Sequence, residues 1–541
     1  TTINILRDIT LRESSTIPED KNIVIDLNGN NIEALLKIQM INKGNLKITD
    51  SKQTGSFILN IRGSNSYVAG IVNEDTGILT IDNNVTISGT GYNFNVINNA
   101  GTVNVTNANI KERSQTTGSY ANSRIIYNTG TAKVSNSILG INGSGSTSKY
   151  GIYNAKGIVN VKDITEEGSG EVIYNDTGEV NVTGINKVET GTFIVGRGTG
   201  GTINIKDSNS TVCNALEVKE STEVTIENST LTKTIYGTVI EISGNSNLNI
   251  KDSNIIQDYS KTTTVFGGDC CIKYNSTGTL KITGESTITS AKSTGIYNSS
   301  TGTIILGEND GEVDKTYPCI TGGKYGIYQS NASSKLNFYD GVVIGSNDCD
   351  SIYQYVTMTE EGYEVVKTID EESKTSTARL EQKTVVAQIG ENQYYTLNDA
   401  IQSIQETEET TINILRDIEI LSTMDPIEIA EDKNIVIDLN GNNIESALKS
   451  TIINKGKLRI TDSKQTGSLT FNVTGVNNAY AMGLVNESTG TLIIDNNVTI
   501  LGEGTYFNVI NNEGTVNVTN SKVEEKAKPN GYNGYSRVIY N

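Results

Sequence analysis

A short phrase recurs along this 541-residue chain and limits its possible folds more than any other feature. The phrase joins one or two apolar residues to an Asn, places a Gly two to four residues later, and continues as an alternating run such as Thr-Val-Asn-Val. Three copies read IIYNTGTAKVSNS from Ile125, IYNAKGIVNVKD from Ile152 and GIYNSSTGTIILGEN from Gly295. Neighbouring copies lie 21 to 31 residues apart, a period typical of solenoids and related arrays.

Each copy predicts short strands separated by tight turns. Apolar and polar residues alternate over three to five positions, and Asn, Asp or Gly then interrupts the run. Strands this short cannot bury one face alone, but stacked coils about 4.8 Å apart can. Hydrophobic content is 35%, with seven Phe and no Trp, so the core should be thin and built from Ile, Val and Leu. We predict an all-β fold, a parallel β-solenoid. An antiparallel β-sandwich array is the alternative, but it requires paired, longer strands and does not explain the recurrent Asn.

The recurrent Asn has a structural explanation in such a fold. Parallel stacking places equivalent residues above one another, so an inward Asn becomes a ladder whose amides bond coil to coil. We predict that this ladder consists of Asn42, Asn73, Asn98, Asn128, Asn154, Asn175, Asn275 and Asn298.

A much longer repeat contains the short one. TTINILRDI at Thr1 returns at Thr410, and KNIVIDLNGNNIE at Lys21 returns at Lys433. The chain therefore holds one unit of about 410 residues and the first third of another. We predict a first solenoid unit over 1–356 without its N-terminal cap, an acidic junction over 357–409, and the truncated start of a second unit over 410–541. Both ends fall within a unit, so we expect the chain to come from a longer tandem array.

The end of the junction, about 384–405, predicts a cap made of a hairpin and a helix. Residues 385–389 and 393–397 can pair around Gly390-Glu391-Asn392. Thr396 stands where a helix N-cap belongs, and an acid follows three residues later. The helix would present one apolar face, formed by Leu397, Ala400, Ile401 and Ile404. Such a cap would cover the open edge of the next coil stack, which is otherwise a template for aggregation.

Three phrases resemble a known class of proteins. They are KNIVIDLNGNNI, the I-x-N-x-G-T-L-x-I cadence, and VAQIGENQYYTLNDAIQSIQETEETTINIL over 386–415. Together they resemble the right-handed parallel β-helix of the pectin-lyase-like class. More specifically, they are similar to the repetitive cell-surface proteins of Gram-positive, largely anaerobic bacteria. The resemblance implies a right-handed parallel β-helix in tandem units and an extracellular, surface-attached location.

The enzymes of that fold are polysaccharide lyases and hydrolases, so catalysis has to be considered. The chain has no His, which removes the commonest acid–base residue and metal ligand. Its Asp residues fall mostly in turns, where capping explains them: Asp50, Asp82, Asp163 and Asp252. We predict a non-catalytic protein without a cofactor, and a polysaccharide-degrading enzyme is the third reading. The acidic loop 308–312 could ligate Ca²⁺, but its spacing matches no calcium motif and favours a solvated turn.

Tyrosine is the residue that most suggests recognition. In the Ile-Tyr-Asn phrase the Ile points inward, so alternation turns the Tyr outward. We predict an outer stripe formed by Tyr127, Tyr153, Tyr174, Tyr274, Tyr297, Tyr328 and Tyr353. The stripe could contact sugar rings or another fibre. It could also be a self-stabilising ladder, because aromatic neighbours attract by about 0.5–1.5 kcal/mol.

The five cysteines fall between 213 and 349. Cys319 and Cys349 lie 30 residues apart, the length of one coil, so a bridge between adjacent coils is possible, although sequence cannot decide the pairing. Five is odd, so one thiol is free or bridges to another molecule. The vicinal pair Cys270-Cys271 matches no zinc pattern.

Charge narrows the choice of partners. A net charge of −19 argues against nucleic acid, which needs clustered Lys and Arg. No apolar run is long enough for membrane insertion of this segment. We predict an extracellular structural or adhesive rod, roughly 60 Å long per unit, on a bacterial surface. Its partner would be a glycan or protein of a host or neighbouring cell, or copies of itself. The alternative is a self-assembling extracellular filament.

Overall fold

A computed structural model of the chain describes every residue except 36–38, 63–67, 115–121, 143–147, 263–264, 267, 406–407, 423, 475–480 and 528–535. Residues 406–407 of the predicted junction therefore lie outside the described part. Strands make up about 60% of the chain, and the described residues contain one short helix. The chain forms two compact units, Thr1–Glu381 and Gln382–Asn541.

In the first unit each coil contributes one strand to each of three faces. Two long strands, Glu179–Gly196 and Thr202–Val218, run through all three faces. The other strands of the first face are Thr2–Asn4, Asn22–Asp26, Asn45–Thr49, Ile78–Ile81, Thr102–Thr106, Thr131–Ser135, Ile158–Lys162, Glu223–Glu227, Asn247–Lys251, Thr279–Thr283, Thr303–Leu306, Lys335–Phe338 and Met358–Thr359.

The second face consists of Ile9–Leu11, Ile32–Ala34, Ser56–Arg62, Thr86–Tyr92, Asn109–Ser114, Ile138–Ile141, Thr165–Gly168, Thr230–Lys233, Asn254–Gln257, Thr287–Ser290, Cys319–Gly322 and Val342–Ser346. The third face consists of Ser15–Ile17, Met40–Asn42, Val68–Asn73, Phe94–Asn99, Ser123–Asn128, Lys149–Asn154, Glu171–Asn175, Ile240–Gly244, Cys270–Ser276, Thr294–Asn298, Ile327–Gln329 and Ile352–Tyr353.

Strands of successive coils pair in parallel on every face, which confirms the predicted parallel β-solenoid. The parallel register stacks like side chains into rows that run along the core. One such row, buried throughout, is Ile48, Ile81, Val105, Val134, Val161, Val182, Ile205, Ile226, Ile250, Ile282, Leu306 and Phe338. Each β-branched residue packs on a similar one above and below, so a thin core of modest side chains suffices.

The first unit ends in an antiparallel strand. Thr375–Gln382 pairs antiparallel with Val342–Ser346 on the second face, and Tyr363–Asp370 precedes it. The predicted junction over 357–409 is corrected here, because residues 357–381 belong to the first unit. After the short parallel strand Met358–Thr359, these residues lose the coil cadence because they turn back to cover the last coil.

The second unit repeats the three faces. Its first face contains Thr410–Ile414, Asn434–Asp438, Lys457–Thr461, Thr491–Ile494 and Thr515–Val518. Its second face contains Ile418–Ile420, Asn443–Ser446, Ser468–Thr474, Thr499–Thr505 and Lys522–Ala527. Its third face contains Ile427–Ile429, Ser450–Asn454, Ala481–Asn486, Phe507–Asn512 and Ser536–Tyr540.

A hairpin and a helix cover the start of this second stack, as predicted. The hairpin strands are Ala387–Ile389 and Asn392–Tyr394, and the first of them pairs antiparallel with Thr410–Ile414. The helix spans Leu397–Ser403, and the Thr396 hydroxyl accepts a hydrogen bond from the Asp399 amide at 3.0 Å. The predicted apolar face of the helix, Leu397, Ala400, Ile401 and Ile404, is buried against the stack.

Replacing Ile401 with Asp should detach this hairpin-and-helix cap from the coil stack that it covers. The new carboxylate would lie in an apolar site, because Ile401 is 1% exposed, at a cost of about 3 kcal/mol or more. We expect a lower melting temperature and faster proteolysis between the helix and Thr410. Gln402→Asp, at the exposed neighbouring position, is the matched control. Equal effects of the two variants would contradict the capping role.

Candidate functional site

One outer column of the third face carries most of the predicted tyrosines. The column lies one position before the Asn ladder on each coil, so its side chains point away from the core. From Asn98 onward its members in order are Asn98, Tyr127, Tyr153, Tyr174, Val195, Glu217, Glu241, Lys273, Tyr297, Tyr328 and Tyr353. The column therefore presents two aromatic stripes with a charged stretch between them.

The first stripe consists of Tyr127, Tyr153 and Tyr174. Ring centroids are 5.6 Å apart between the first two rings and 4.7 Å apart between the last two. Interplanar angles of 21° and 13° show that the rings are stacked. The guanidinium of Arg124 lies 5.0 Å from the centroid of Tyr127 and 4.2 Å from that of Tyr153, a cation–π arrangement.

The second stripe consists of Tyr297, Tyr328 and Tyr353. Its ring centroids are 5.6 Å and 4.6 Å apart, with interplanar angles of 5° and 13°. Tyr353 is 42% exposed and ends the stripe. The same column in the second unit reaches Tyr540, over which Arg537 lies at 4.8 Å. The second unit therefore repeats the Arg–Tyr arrangement that begins the first stripe.

A second row of tyrosines, which sequence reasoning missed, widens both stripes. Tyr150 lies edge-on to Tyr153 and Tyr174, with centroids 5.3 Å and 5.0 Å away. Tyr325 contacts Tyr328 and Tyr353 at 4.7 Å and 5.7 Å. The available signal was the segment KYGIY, which occurs at 149–153 and again at 324–328. Each stripe is therefore a patch two rings wide, and not a single row.

Two hydroxyl groups of the first patch stay protonated at neutral pH. Burial against neighbouring rings, together with the nearby negative charge of Asp176, raises the pKa of Tyr153 to about 12. Burial also raises the pKa of Tyr174. The patch therefore presents ring edges, hydroxyl donors and one guanidinium.

Tyr274 corrects the prediction of a continuous stripe. It is fully buried, and its hydroxyl donates to the Ser246 carbonyl oxygen at 3.3 Å. The strand aligns Ile272 with Ile296, so Lys273 takes the outer position and Tyr274 the inner one. The extra Lys in IKYN shifts the Tyr by one residue, and with a side-chain period of two this shift turns it inward. Lys273 instead pairs with Glu241 at 2.9 Å in the charged stretch.

The inner column beside the stripe is a ladder of buried asparagines. Each Nδ2 donates to the Oδ1 of the Asn on the next coil, over distances of 2.7 to 2.9 Å. The first-unit ladder consists of Asn42, Asn73, Asn99, Asn128, Asn154 and Asn175. It forms again in the second unit from Asn454, Asn486, Asn512 and Asn541. Asn298 is buried further along the same column, and its Nδ2 donates to the Gly302 carbonyl oxygen at 3.2 Å.

The Gly that follows each anchor Asn is required by the same stacking. The Asn128 amide also donates to the Gly130 carbonyl oxygen at 3.1 Å, which holds the turn close to the ladder. A Cβ on Gly130 would lie 2.1 Å from the carbonyl oxygen of Gly101 on the preceding coil. No other residue fits at that distance, so the recurrent Asn and Gly form one packing unit.

Two predicted ladder members are wrong. Asn98 lies in the outer column opposite Tyr127, and the adjacent Asn99 takes the ladder position. Asn275 is only half-buried, because Tyr274 occupies the ladder position opposite Asn298. In both cases the inward apolar residues set the register between neighbouring strands. The anchor Asn by which the copies are aligned in the sequence does not.

The adjacent pair Asn98 and Asn99 provides a matched test of the ladder. Asn99→Ala should lower the free energy of unfolding by about 2–4 kcal/mol, because it removes the buried ladder hydrogen bonds to the Asn side chains of both neighbouring coils. Asn98→Ala should change the free energy of unfolding by less than about 0.5 kcal/mol. Chemical denaturation of the two variants measures both values. Equal destabilisation would show that the ladder does not hold the coils together.

The turn aspartates act as backbone caps between coils. Asp50 is fully buried, and its carboxylate accepts from the amides of Gly29 and Gly55 at 2.7 Å and 2.5 Å. Asp163 accepts from the Ile185 amide at 2.6 Å, and Asp252 from the Glu285 amide at 3.0 Å. Asp82 forms an ion pair with Lys47 at 2.7 Å.

The acidic loop 308–312 makes similar local bonds. The Glu308 amide donates to Asp340 at 2.8 Å, and the Glu312 amide donates to Asp310 at 3.1 Å. Among the described residues, no group of three or more His, Cys, Asp or Glu is arranged to hold a metal ion. That this loop is a solvated turn without a metal ion stays a prediction.

The predicted bridge between Cys319 and Cys349 is not formed, and all five cysteines are free thiols. The residue opposite Cys319 on the next coil is Val342, well before Cys349 in the chain. The coil that runs from Cys319 to Val342 is shorter than the coil length assumed in the prediction, so the two thiols do not align. Cys349 instead lies beside Tyr325.

Glu166 is a buried carboxyl group that lies apart from the stripes. Its Oε2 accepts from the Glu189 amide at 3.1 Å, and its Oε1 has no hydrogen-bond partner. Burial raises its pKa above the ordinary value of 4.5. The folded chain therefore holds this proton more tightly than the unfolded chain. Its contribution to stability is complete below the unfolded pKa and is lost as pH rises through the folded pKa.

Glu166→Gln should consequently stabilise the protein at pH 7 but not below about pH 4. At pH 7 the amide avoids burying a charge, a gain of about 1 kcal/mol or more. At acid pH the wild-type carboxyl group is itself neutral. Melting temperatures measured across this range test the expectation, with Glu167→Gln, at the exposed next position, as control. A lower melting temperature for Glu166→Gln at pH 7 would contradict it.

The fold and column geometry define the chain as a parallel β-solenoid of stacked coils. Comparisons with protein-family models, curated proteins and solved structures found no match to it. Within the described residues, no helix has the length and apolar character needed to cross a membrane.

Proposed function

We propose that the chain is a non-catalytic, rod-like segment of an extracellular protein on a bacterial surface, and that its tyrosine patches bind glycans. The observation that carries this proposal is the outer column itself. It holds three stacked rings with an edge-on fourth and an Arg, and a similar four-ring cluster recurs farther along the same face. The extracellular, bacterial location rests on the resemblance of the repeated phrases to Gram-positive surface proteins.

The chemistry of the patch suits a sugar chain. Because the rings are stacked on one another, they present their outer edges and hydroxyl groups to solvent. The ring edges can contact the apolar faces of pyranose rings, while Tyr hydroxyls and an Arg donate hydrogen bonds to sugar oxygens. Ring spacings of 4.7 Å and 5.6 Å repeat along the column, so successive sugars of one chain can meet successive rings. Burial raises the pKa of Tyr153 and of Tyr174, so both hydroxyls stay protonated and can donate hydrogen bonds at neutral pH.

The solenoid supplies the rigidity that such a face needs. Backbone hydrogen bonds on three faces and the buried Asn ladder hold each coil to the next. The rings are therefore already ordered, and little conformational entropy is lost when a ligand binds. With about fifteen coils about 4.8 Å apart, the first unit extends roughly 70 Å. A rod of this length holds the two patches of one unit at a set separation and supports binding at two points.

A glycan array probed with the full 541-residue chain tests the proposal. We expect binding to a restricted set of glycans, with affinity at least tenfold weaker for the Tyr127→Ala, Tyr153→Ala, Tyr174→Ala triple variant. This factor corresponds to about 1.4 kcal/mol, which is modest for three ring contacts. Changing Tyr297, Tyr328 and Tyr353 to Ala should weaken binding of long glycans more than that of short ones, because only long chains reach both patches.

The matched control is a variant with Tyr236→Ala and Tyr395→Ala, two exposed tyrosines outside the patches. It should bind like the wild type. Absence of any glycan binding, or equal binding by the triple variant and the wild type, would refute the glycan proposal. Sedimentation velocity on the same samples addresses the filament alternative. Self-association lost in the triple variant would assign the patches to contacts between copies of the chain.

A further inference from the structure

Lys233 is a lysine buried inside the first unit. It ends the strand Thr230–Lys233 on the second face, and it is 2% exposed. Its Nζ donates to the Asn214 Oδ1 at 2.5 Å and to the Thr238 carbonyl oxygen at 3.2 Å. Both acceptors are neutral. No carboxylate in the described part of the chain lies within ion-pair distance of this amine.

A buried ammonium without a counterion is costly. Burial accordingly lowers the pKa of Lys233, while the nearby Cys213 and Asp269 oppose this shift. The neutral amine is thus more populated here than on the surface, and a neutral amine is a nucleophile.

The fold holds the amine against one particular amide. Lys233 lies opposite Val212 of the preceding coil, and Asn214 follows Val212 by two residues on the same strand. Gly237 lies over the amine, where a Cβ would come within 3.1 Å of Nζ. The Gln257 side chain donates to the Gly237 carbonyl oxygen and ties this turn to the next coil. Reacting groups held in contact in this way gain a large effective concentration.

We propose that Lys233 and Asn214 form an intramolecular isopeptide bond. The Lys233 Nζ attacks the Asn214 Cγ, and a new C–N bond forms. The bond from Cγ to Nδ2 breaks, and Nδ2 leaves as ammonia with a proton taken from Nζ. Nothing is oxidised or reduced, and no co-reactant is needed.

The position of this bond suits a gap in the ladder. After Asn175 the ladder column continues through Gly196, Val218, Ile242 and Tyr274. None of these residues has a side-chain amide. Asn214 and Lys233 lie on two of the coils that the gap affects. A covalent link there joins adjacent coils where no amide ladder does so.

Mass spectrometry of the purified 541-residue chain tests the proposal. The intact mass should fall below the sequence mass by one ammonia. Because an acylated lysine resists trypsin, digestion should yield residues 220–251 uncleaved after Lys233 and joined to 207–219. Lys233→Met and Asn214→Ala should each abolish the joined peptide. Lys187→Met, at an exposed lysine paired with Glu189, should leave it intact.

Succinimide formation at an Asn-Gly pair, such as Asn28-Gly29 or Asn440-Gly441, also releases ammonia and must be distinguished. It joins no peptides, and it persists in Lys233→Met. Wild-type chain in which trypsin cleaves normally after Lys233, with 207–219 recovered alone, would overturn the proposal whether or not the variants fold. A joined peptide that survives Asn214→Ala, or one released by a reducing agent, would overturn it equally.

Discussion

The structure depends on one constraint: each coil must lie about 4.8 Å above the last, in register, with every inward polar group paired. The buried Asn ladder meets this constraint, because each side-chain amide directs one of its two hydrogens to the next Asn and the other to backbone carbonyl oxygens. Gly follows because the adjoining turns approach too closely for a Cβ. Rows of Ile and Val complete the core with contacts between like residues.

The same register creates the candidate functional surface. A residue one position before the inward ladder faces outward at the same position on every coil. Tyr residues placed there therefore stack on the Tyr residues of neighbouring coils. Where the phrase loses its Tyr, the outer column becomes charged, with Glu217, Glu241 and Lys273. The ladder lapses over the same coils, and there Lys233 lies buried against Asn214. The loss of Asn from the inner column and the loss of Tyr from the outer column thus occur on the same coils.

The parallel solenoid, the cap helix and most ladder positions could be predicted, because they follow from period-two alternation, capping chemistry and near-verbatim repetition. The errors arose where coils differ in length. Matching the anchor Asn of each phrase predicts Asn98 as a ladder residue and Tyr274 as an outer one, whereas the fold aligns inward apolar residues such as Ile97 and Ile272. The Lys233–Asn214 contact could not be predicted, because it depends on side-chain reach between coils that sequence spacing does not reveal.

The most direct test of the central claim is hydrogen exchange of side-chain amides, followed by NMR on perdeuterated, ¹⁵N-labelled protein. If the ladder holds the coils together, the Nδ2 hydrogens of Asn73, Asn99 and Asn128 exchange only on global opening of the stack. Those of Asn98, in the outer column, exchange before the first spectrum is recorded. Ladder amides that exchange as fast as those of Asn98 would show that the coils are held by backbone bonds and apolar packing alone, and would contradict the account.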